Sequence, residues 1–363
     1  MMLVMPTLRE KIAQMFLVGV GGPELTGEER IVIERYGFGG FILFGHNCCV
    51  PAQILSLCRA LWETGHTHPP FIAIDQEGGR VHRLPKPFTH FPPAARIGAT
   101  DNPNFAYEAA RATAEELAAV GINLDFAPVL DVNSNPKNPV IGNRSFASDP
   151  QKVIAFSERW IQGLRDGGII PCGKHFPGHG DTDKDSHLDL PMVDRSLEEL
   201  EKVELPPFVS ACHNGIESLM TAHVVYRALD PDLPATLSSP IVTGLLRDEL
   251  HYNGVVFGDD MEMKAISGHY GEEQAIALCA RAGIDVMLFC HELPRALRAF
   301  EFLCSEVERD PRLCTQVENS YRRITKLKQS FLKRFTGIDD PELEKRLAGS
   351  NHRRIVGEIQ GSL

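Results

Sequence analysis

The chain has 363 residues, 43% of them hydrophobic and 23% charged, which is an ordinary balance for a globular protein with a sizeable core and gives no sign of disorder. A formal net charge of −11 argues against a nucleic-acid binder, which needs basic surface to neutralise phosphates. Nine cysteines at irregular spacing, an odd number, do not read as a disulfide framework and point to a reducing cytoplasm.

The opening Met1 to Pro6 is apolar but too short for a signal-peptide core and lacks a preceding basic region. No apolar run reaches 18 residues, so no membrane span is expected. Gly19-Val20-Gly21-Gly22 is too little for a dinucleotide fingerprint.

Eight short apolar runs then recur along the chain: 16–20, 38–44, 71–74, 122–132, 169–173, 218–225, 254–257 and 284–289. Amphipathic stretches long enough for crossover helices separate several of them, at 104–120, 150–166, 197–214 and 239–250. This alternation predicts parallel strands in an α/β fold. Asp75, Asp131, Lys174, His175, His223 and Asp259 fall at the carboxyl ends of the strands, and a closed TIM-like (β/α)8 barrel would gather them at one face. An open doubly wound sheet would scatter them, so the barrel is expected. Helical stretches at 293–309 and 313–335 should pack outside it, with a polar tail from Asp339 onward.

The densest chemistry lies in residues 173–187, with three histidines, three aspartates and two lysines around Pro177, Gly178 and Gly180. Proline and glycine there favour a turning loop over regular structure. His187 follows Asp185 by two residues, which in extended backbone places both side chains on one face. The carboxylate would fix the imidazole tautomer and favour its charged form, as a proton donor requires, although a solvated loop pair reads equally well from these residues alone.

Asp259 ends the apolar run Val255-Val256-Phe257, where a barrel would aim it into the pocket. With Asp260 adjacent, one aspartate is free to cap a helix while the other reacts. Asp75 and Arg83 read either as a sugar clamp or as a structural ion pair. Arg144, Lys174 and His175 supply further donors near strand ends.

Asp181, Asp183 and Asp185 echo an EF-hand opening, but Ser186 and Met192 stand where that loop needs Gly and Glu. Pro177 and Gly178 interrupt the His175/His179 pair, excluding a zincin helix. No metal or other cofactor is implied.

Taken in order, Asp75-Gln76-Glu77-Gly78-Gly79-Arg80-Val81, Asn143-Arg144-Ser145-Phe146, Lys174-His175-Phe176-Pro177-Gly178-His179-Gly180, Asp185-Ser186-His187 and Gly258-Asp259-Asp260-Met261-Glu262-Met263 resemble glycoside hydrolase family 3 over residues 8–330. More narrowly, they resemble its β-N-acetylhexosaminidase (NagZ-like) branch. The resemblance implies a barrel in residues 1–335 and a retaining mechanism with Asp259 as nucleophile. It further implies that His187, partnered by Asp185, is the acid/base, and that Asp75, Arg83, Arg144, Lys174 and His175 hold the terminal sugar.

The implied substrate is a carbohydrate carrying terminal N-acetylglucosamine, with recycling of cell-wall muropeptides in a bacterial cytoplasm as the role. Gly258 departs from the Ser or Thr common before the nucleophile. Residues 336–363 resemble the start of an interdomain linker, and no second domain is expected. A family 3 β-glucosidase, a glycoside phosphorylase and a catalytically inactive sugar-binding protein are the alternatives.

Overall fold

A computed structural model describes residues 6–65, 67–182, 189–338 and 343–362. Among the described residues ten strands run in chain order: β1 (Phe16–Gly19), β2 (Gly40–Leu43), β3 (Phe71–Ile74), β4 (Leu124–Asp125), β5 (Ile170–Phe176), β6 (Met192–Val193), β7 (Ser218–Thr221), β8 (Val225–Tyr226), β9 (Val255–Asp260) and β10 (Val286–Phe289). Eight of them close a parallel barrel in the order β1-β10-β9-β7-β5-β4-β3-β2, while β6 and β8 form a separate pair. All eight predicted runs therefore overlap a barrel strand, with β5 and β9 extending past the runs at 169–173 and 254–257.

The barrel strands are buried almost throughout because side chains point both inward and toward the surrounding helices. Aromatic rings fill the interior: Phe257 meets Phe71 and Phe126 edge-on, with centroids 5.9 and 5.4 Å apart. Gly40 lets β2 approach β3, since a side chain there would sit 2.7 Å from the Phe71 Cβ.

Outside, the alanine-rich helix Asn104–Ala119 packs on Pro150–Asp166. Gly163 makes this crossing close, because a Cβ would stand 2.5 Å from the Tyr107 carbonyl. Three differences from the expected elements have local causes. The stretch at 197–214 divides into Leu197–Lys202 and Pro206–His213, since Pro206 and Pro207 lack amide donors and start a second helix instead of continuing the first.

Regular pairing of β4 stops at Asp125, with Pro128 following, but the chain keeps tracking β5: Leu130 N–H donates to the Lys174 carbonyl at 2.7 Å. That continuation delivers Asp131 to the top of the barrel. The polar tail forms helices Leu343–Arg346 and Ser350–Gly361, which pack on Asn104–Ala119 through buried Ile355 and Ile359. Glu116 fastens it, accepting from Ala348 N–H at 2.7 Å and His352 Nδ1 at 3.0 Å. The same carboxylate accepts from Thr89 N–H at 2.8 Å and its hydroxyl at 2.7 Å.

Candidate active site

A cavity of about 390 Å³ opens at the carboxyl ends of the strands. Its lining includes Asp75, Arg83, Arg144, Lys174, His175 and Asp259, so six of the residues singled out in the sequence meet in one place. Asp185 and His187 lie outside the described residues.

The floor is an ion-pair network. Lys174, buried on β5, donates from Nζ to Asp75 Oδ1 at 2.7 Å and lies 2.6 Å from Glu77 Oε1. Arg144 grips Glu77 with two parallel contacts of 2.8 Å from Nε and Nη2. Arg83 stands 3.8 Å from Asp75 Oδ2, so Asp75 is both an ion-pair partner and a group facing the cavity.

Burial alone would push Glu77 up, but the Arg144 and Lys174 charges outweigh it and hold its carboxyl far below the usual range. Burial would likewise lower Lys174, yet Asp75 and Glu77 raise it, and the ammonium persists. Glu77, Lys174 and Arg144 are therefore held charged before any ligand arrives.

Behind this floor, Asp131 is completely buried and does not line the cavity. Its Oδ2 accepts from His175 Nδ1 at 2.7 Å, and its Oδ1 accepts the N–H groups of His175 at 3.1 Å and His179 at 2.6 Å. One carboxylate thus fixes the orientation of His175 and the turn that follows it. Burial opposes its ionisation, but His175 and these hydrogen bonds keep it below the ordinary value. His179 is pushed down to about 4 by burial and the neighbouring His175 charge.

His223 also stands one layer behind. Its Nδ1 pairs with the Thr236 hydroxyl at 2.8 Å, and its Nε2 meets the Asp260 carbonyl at 2.9 Å. It therefore braces the end of β9, and the expectation that all the strand-end residues face the pocket holds for Asp75, Lys174, His175 and Asp259 but not for Asp131 and His223.

The adjacent aspartates divide their work differently from the capping arrangement. Met263, not an aspartate, is the N-cap of Lys264–Ser267. Asp260 instead ties the turn, with Oδ1 accepting from Glu262 N–H at 3.1 Å and Cys290 N–H at 3.3 Å. Burial pushes the Asp260 carboxyl up to about 7, and the Glu262 and Asp259 charges add to the rise against those hydrogen bonds. Asp259 is half-buried and stands in the cavity wall. At Gly258 a Cβ would meet the Thr236 methyl at 3.1 Å, so Thr236 fills the space beside the residue that precedes Asp259.

Sequence reasoning passed over Glu77, Glu262 and His291, which also line the cavity. Glu77 carried a usable signal, lying two residues beyond Asp75 and so on the same side of an extended chain. Glu262 accepts the N–H groups of His291 at 2.6 Å and Glu292 at 3.1 Å, a contact across two loops that nothing local announces.

The Glycosyl hydrolase family 3 N terminal domain matches residues 7–327. A curated Beta-hexosaminidase of Alkalilimnicola ehrlichii is 39% identical over 292 residues, covering 78% of this chain and 82% of that protein. Among solved structures, a glycoside hydrolase family 3 beta-N-acetylglucosaminidase from Paenibacillus sp. superposes with a TM-score of 0.93 at 37% identity, covering 99% of this chain and 69% of that one. NagZ from Neisseria gonorrhoeae gives 0.79 at 30% identity, with 96% and 97% covered. The barrel, the ordered motifs that meet at its upper face and these likenesses lead to one conclusion: the chain belongs to glycoside hydrolase family 3.

Proposed function

We propose that the chain is a retaining, exo-acting β-N-acetylglucosaminidase that releases terminal N-acetylglucosamine. The observation that carries this reading is a cavity of about 390 Å³ with Asp75, Arg83, Arg144, Lys174 and His175 clustered in its lining and Asp259 in its wall. That volume is at the small end of ligand pockets, about 300–1,000 Å³, and suits a single terminal sugar. Paired charges and imidazole are well matched to neighbouring hydroxyl groups. The likeness to a Beta-hexosaminidase and to beta-N-acetylglucosaminidases supports the acetamido sugar.

The Asp259 carboxylate attacks the anomeric carbon as the bond to the leaving oxygen breaks, and His187 passes a proton to that oxygen. An ester links sugar to Asp259. Water, giving its proton to His187, then cleaves the ester, so two inversions preserve the β configuration. Asp185 orients His187 and favours its charged form. Lys174 and Arg144 hold the sugar without needing to acquire charge during the reaction.

A muropeptide fragment in a bacterial cytoplasm is the substrate setting we propose. All nine cysteines are unpaired, which suits a reducing compartment, and among the described residues no helix is long and apolar enough to cross a membrane.

The test is release of p-nitrophenol from the β-N-acetylglucosaminide and the β-glucoside, each with and without phosphate. Preference for the acetamido sugar, with free N-acetylglucosamine as product, is expected. Preference for the glucoside, or phosphate-dependent formation of a sugar 1-phosphate, overturns the assignment.

A further inference from the structure

Between β5 and the Asp185–His187 pair the chain makes a turn, Pro177 to Thr182, whose backbone is gripped from several sides. Asp131 accepts the His179 N–H at 2.6 Å. Asn138 donates to the carbonyls of His179 at 2.8 Å and Gly180 at 2.9 Å. The Tyr226 hydroxyl donates to the Gly178 carbonyl at 2.6 Å.

The remaining side is filled by Glu204, which is completely inaccessible to solvent and makes no contact with the cavity. A Cβ on Gly178 would stand 2.9 Å from Glu204 Oε2 and 2.8 Å from its Cβ, and one on Gly180 would stand 3.3 Å from Oε2. Both glycines therefore sit against one carboxyl group. Its Oε1 accepts the Ser134 hydroxyl at 2.6 Å, which links it to the loop that carries Asp131. Its Oε2 finds no hydrogen-bond partner among the described residues. A buried charged oxygen without a donor is costly, and a catalytic role at the cavity is ruled out by position.

We propose that Glu204 is a positioning residue, acting in its neutral form, that sets the Gly178–Gly180 backbone and through it the placement of the acid/base pair on the segment beyond. This rests on the reading of His187 as the acid/base. Glu204 titrates among Asp131 and Asp181, which disfavour its ionisation, and Arg195, which favours it, with Tyr226 across the turn. Burial is the largest influence and pushes the carboxyl up to about 7, against the Ser134 hydrogen bond. A carboxyl raised in this way binds a proton on folding. Its contribution to stability is full below the ordinary glutamate value and is lost as pH rises from there to about 7.

Three variants test this: Glu204→Gln, which keeps shape and neutrality, Glu204→Ala, which empties the wedge, and His187→Ala. Each is assayed on p-nitrophenyl β-N-acetylglucosaminide and on chitobiose, whose sugar leaving group needs protonation. Glu204→Ala is expected to lower kcat on chitobiose by about tenfold or more while changing the aryl substrate less than about threefold and leaving KM near wild type. Glu204→Gln should stay within about twofold on both substrates, and the wild type should lose Tm relative to it between about pH 4.5 and 7.

Equal losses on both substrates in Glu204→Ala, or a Glu204→Gln variant as impaired as the alanine, overturn the proposal. If His187→Ala itself shows no dependence on the leaving group, the acid/base reading fails and takes the proposal with it. If His187→Ala shows that dependence and Glu204→Ala does not, only the role of Glu204 is lost.

Discussion

Among the described residues two lysines are buried in this barrel, one at each end, and their surroundings are opposite. Lys174 at the upper end lies between two carboxylates, Asp75 and Glu77, and its ammonium is held charged. Lys328 at the foot donates to Gln14 Oε1 and the Gly39 carbonyl, each at 2.7 Å, with its Nζ 4.6 Å from the Phe71 ring centre. Those partners are neutral, and burial pushes the amine well below the ordinary lysine value. Burial has the same sign at both sites. Partner charge decides whether the side chain is a cation ready for a ligand or a neutral hydrogen-bond donor that closes the base.

The contrast makes the upper end a place where substitutions change turnover and the foot a place where they change only stability. The hardest test is Asp259→Asn, which should reduce kcat by about 10³-fold or more, the scale on which loss of a nucleophile is felt, with an unchanged melting temperature. Retained turnover would remove Asp259 from the mechanism.

Next come the two lysines themselves. Lys174→Met leaves Asp75 without its nearest cation and should cost about 3 kcal/mol of stability together with most of the sugar affinity. Lys328→Met should stay within about 2 kcal/mol at pH 7 and leave kcat/KM unchanged, because it removes a neutral donor from two acceptors. Denaturant titrations from pH 7 to 10 sharpen the pair. Lys328 sheds its proton on folding, so its contribution grows as pH rises toward the ordinary lysine value of about 10.4. Lys174 keeps its proton on folding, so its contribution is steady over that range and falls only above it. Slopes of the same sign would break the comparison.

The smallest effect is expected away from both ends. The hydrogen bond to Glu116 raises His352, against burial, so its contribution is present below the ordinary histidine value and lost as pH rises through the raised one. His352→Ala should therefore lower Tm more at pH 6 than at pH 8, without altering kinetics.

The barrel was legible because each strand is a short apolar run that nothing else explains, and the upper site because its residues stand where those runs end. Glu262 and Glu204 were not, since each acquires its role from contacts between segments far apart in the chain. Glu204 is the sharpest case: in sequence it is one acidic residue among several in the 197–214 stretch, and only the returning turn at Gly178 and Gly180 shows what it packs against. The 197–214 reading ran through Pro206 and Pro207, whose missing amide donors were the local signal for the divided helix. The tail's docking was hidden because Glu116 belongs to an otherwise ordinary alanine-rich helix.

That carboxylate has a consequence for how relatives diverge. Glu116 satisfies Thr89, in the loop that carries the cavity-lining Asp75 and Arg83, and also the backbone of Ala348 and the ring of His352. Positions 89, 116 and 352 should therefore change together across the family. Where evolution replaces the segment after residue 342 with something else, Glu116 should be exchanged with it, or its role taken over by another acceptor for Thr89.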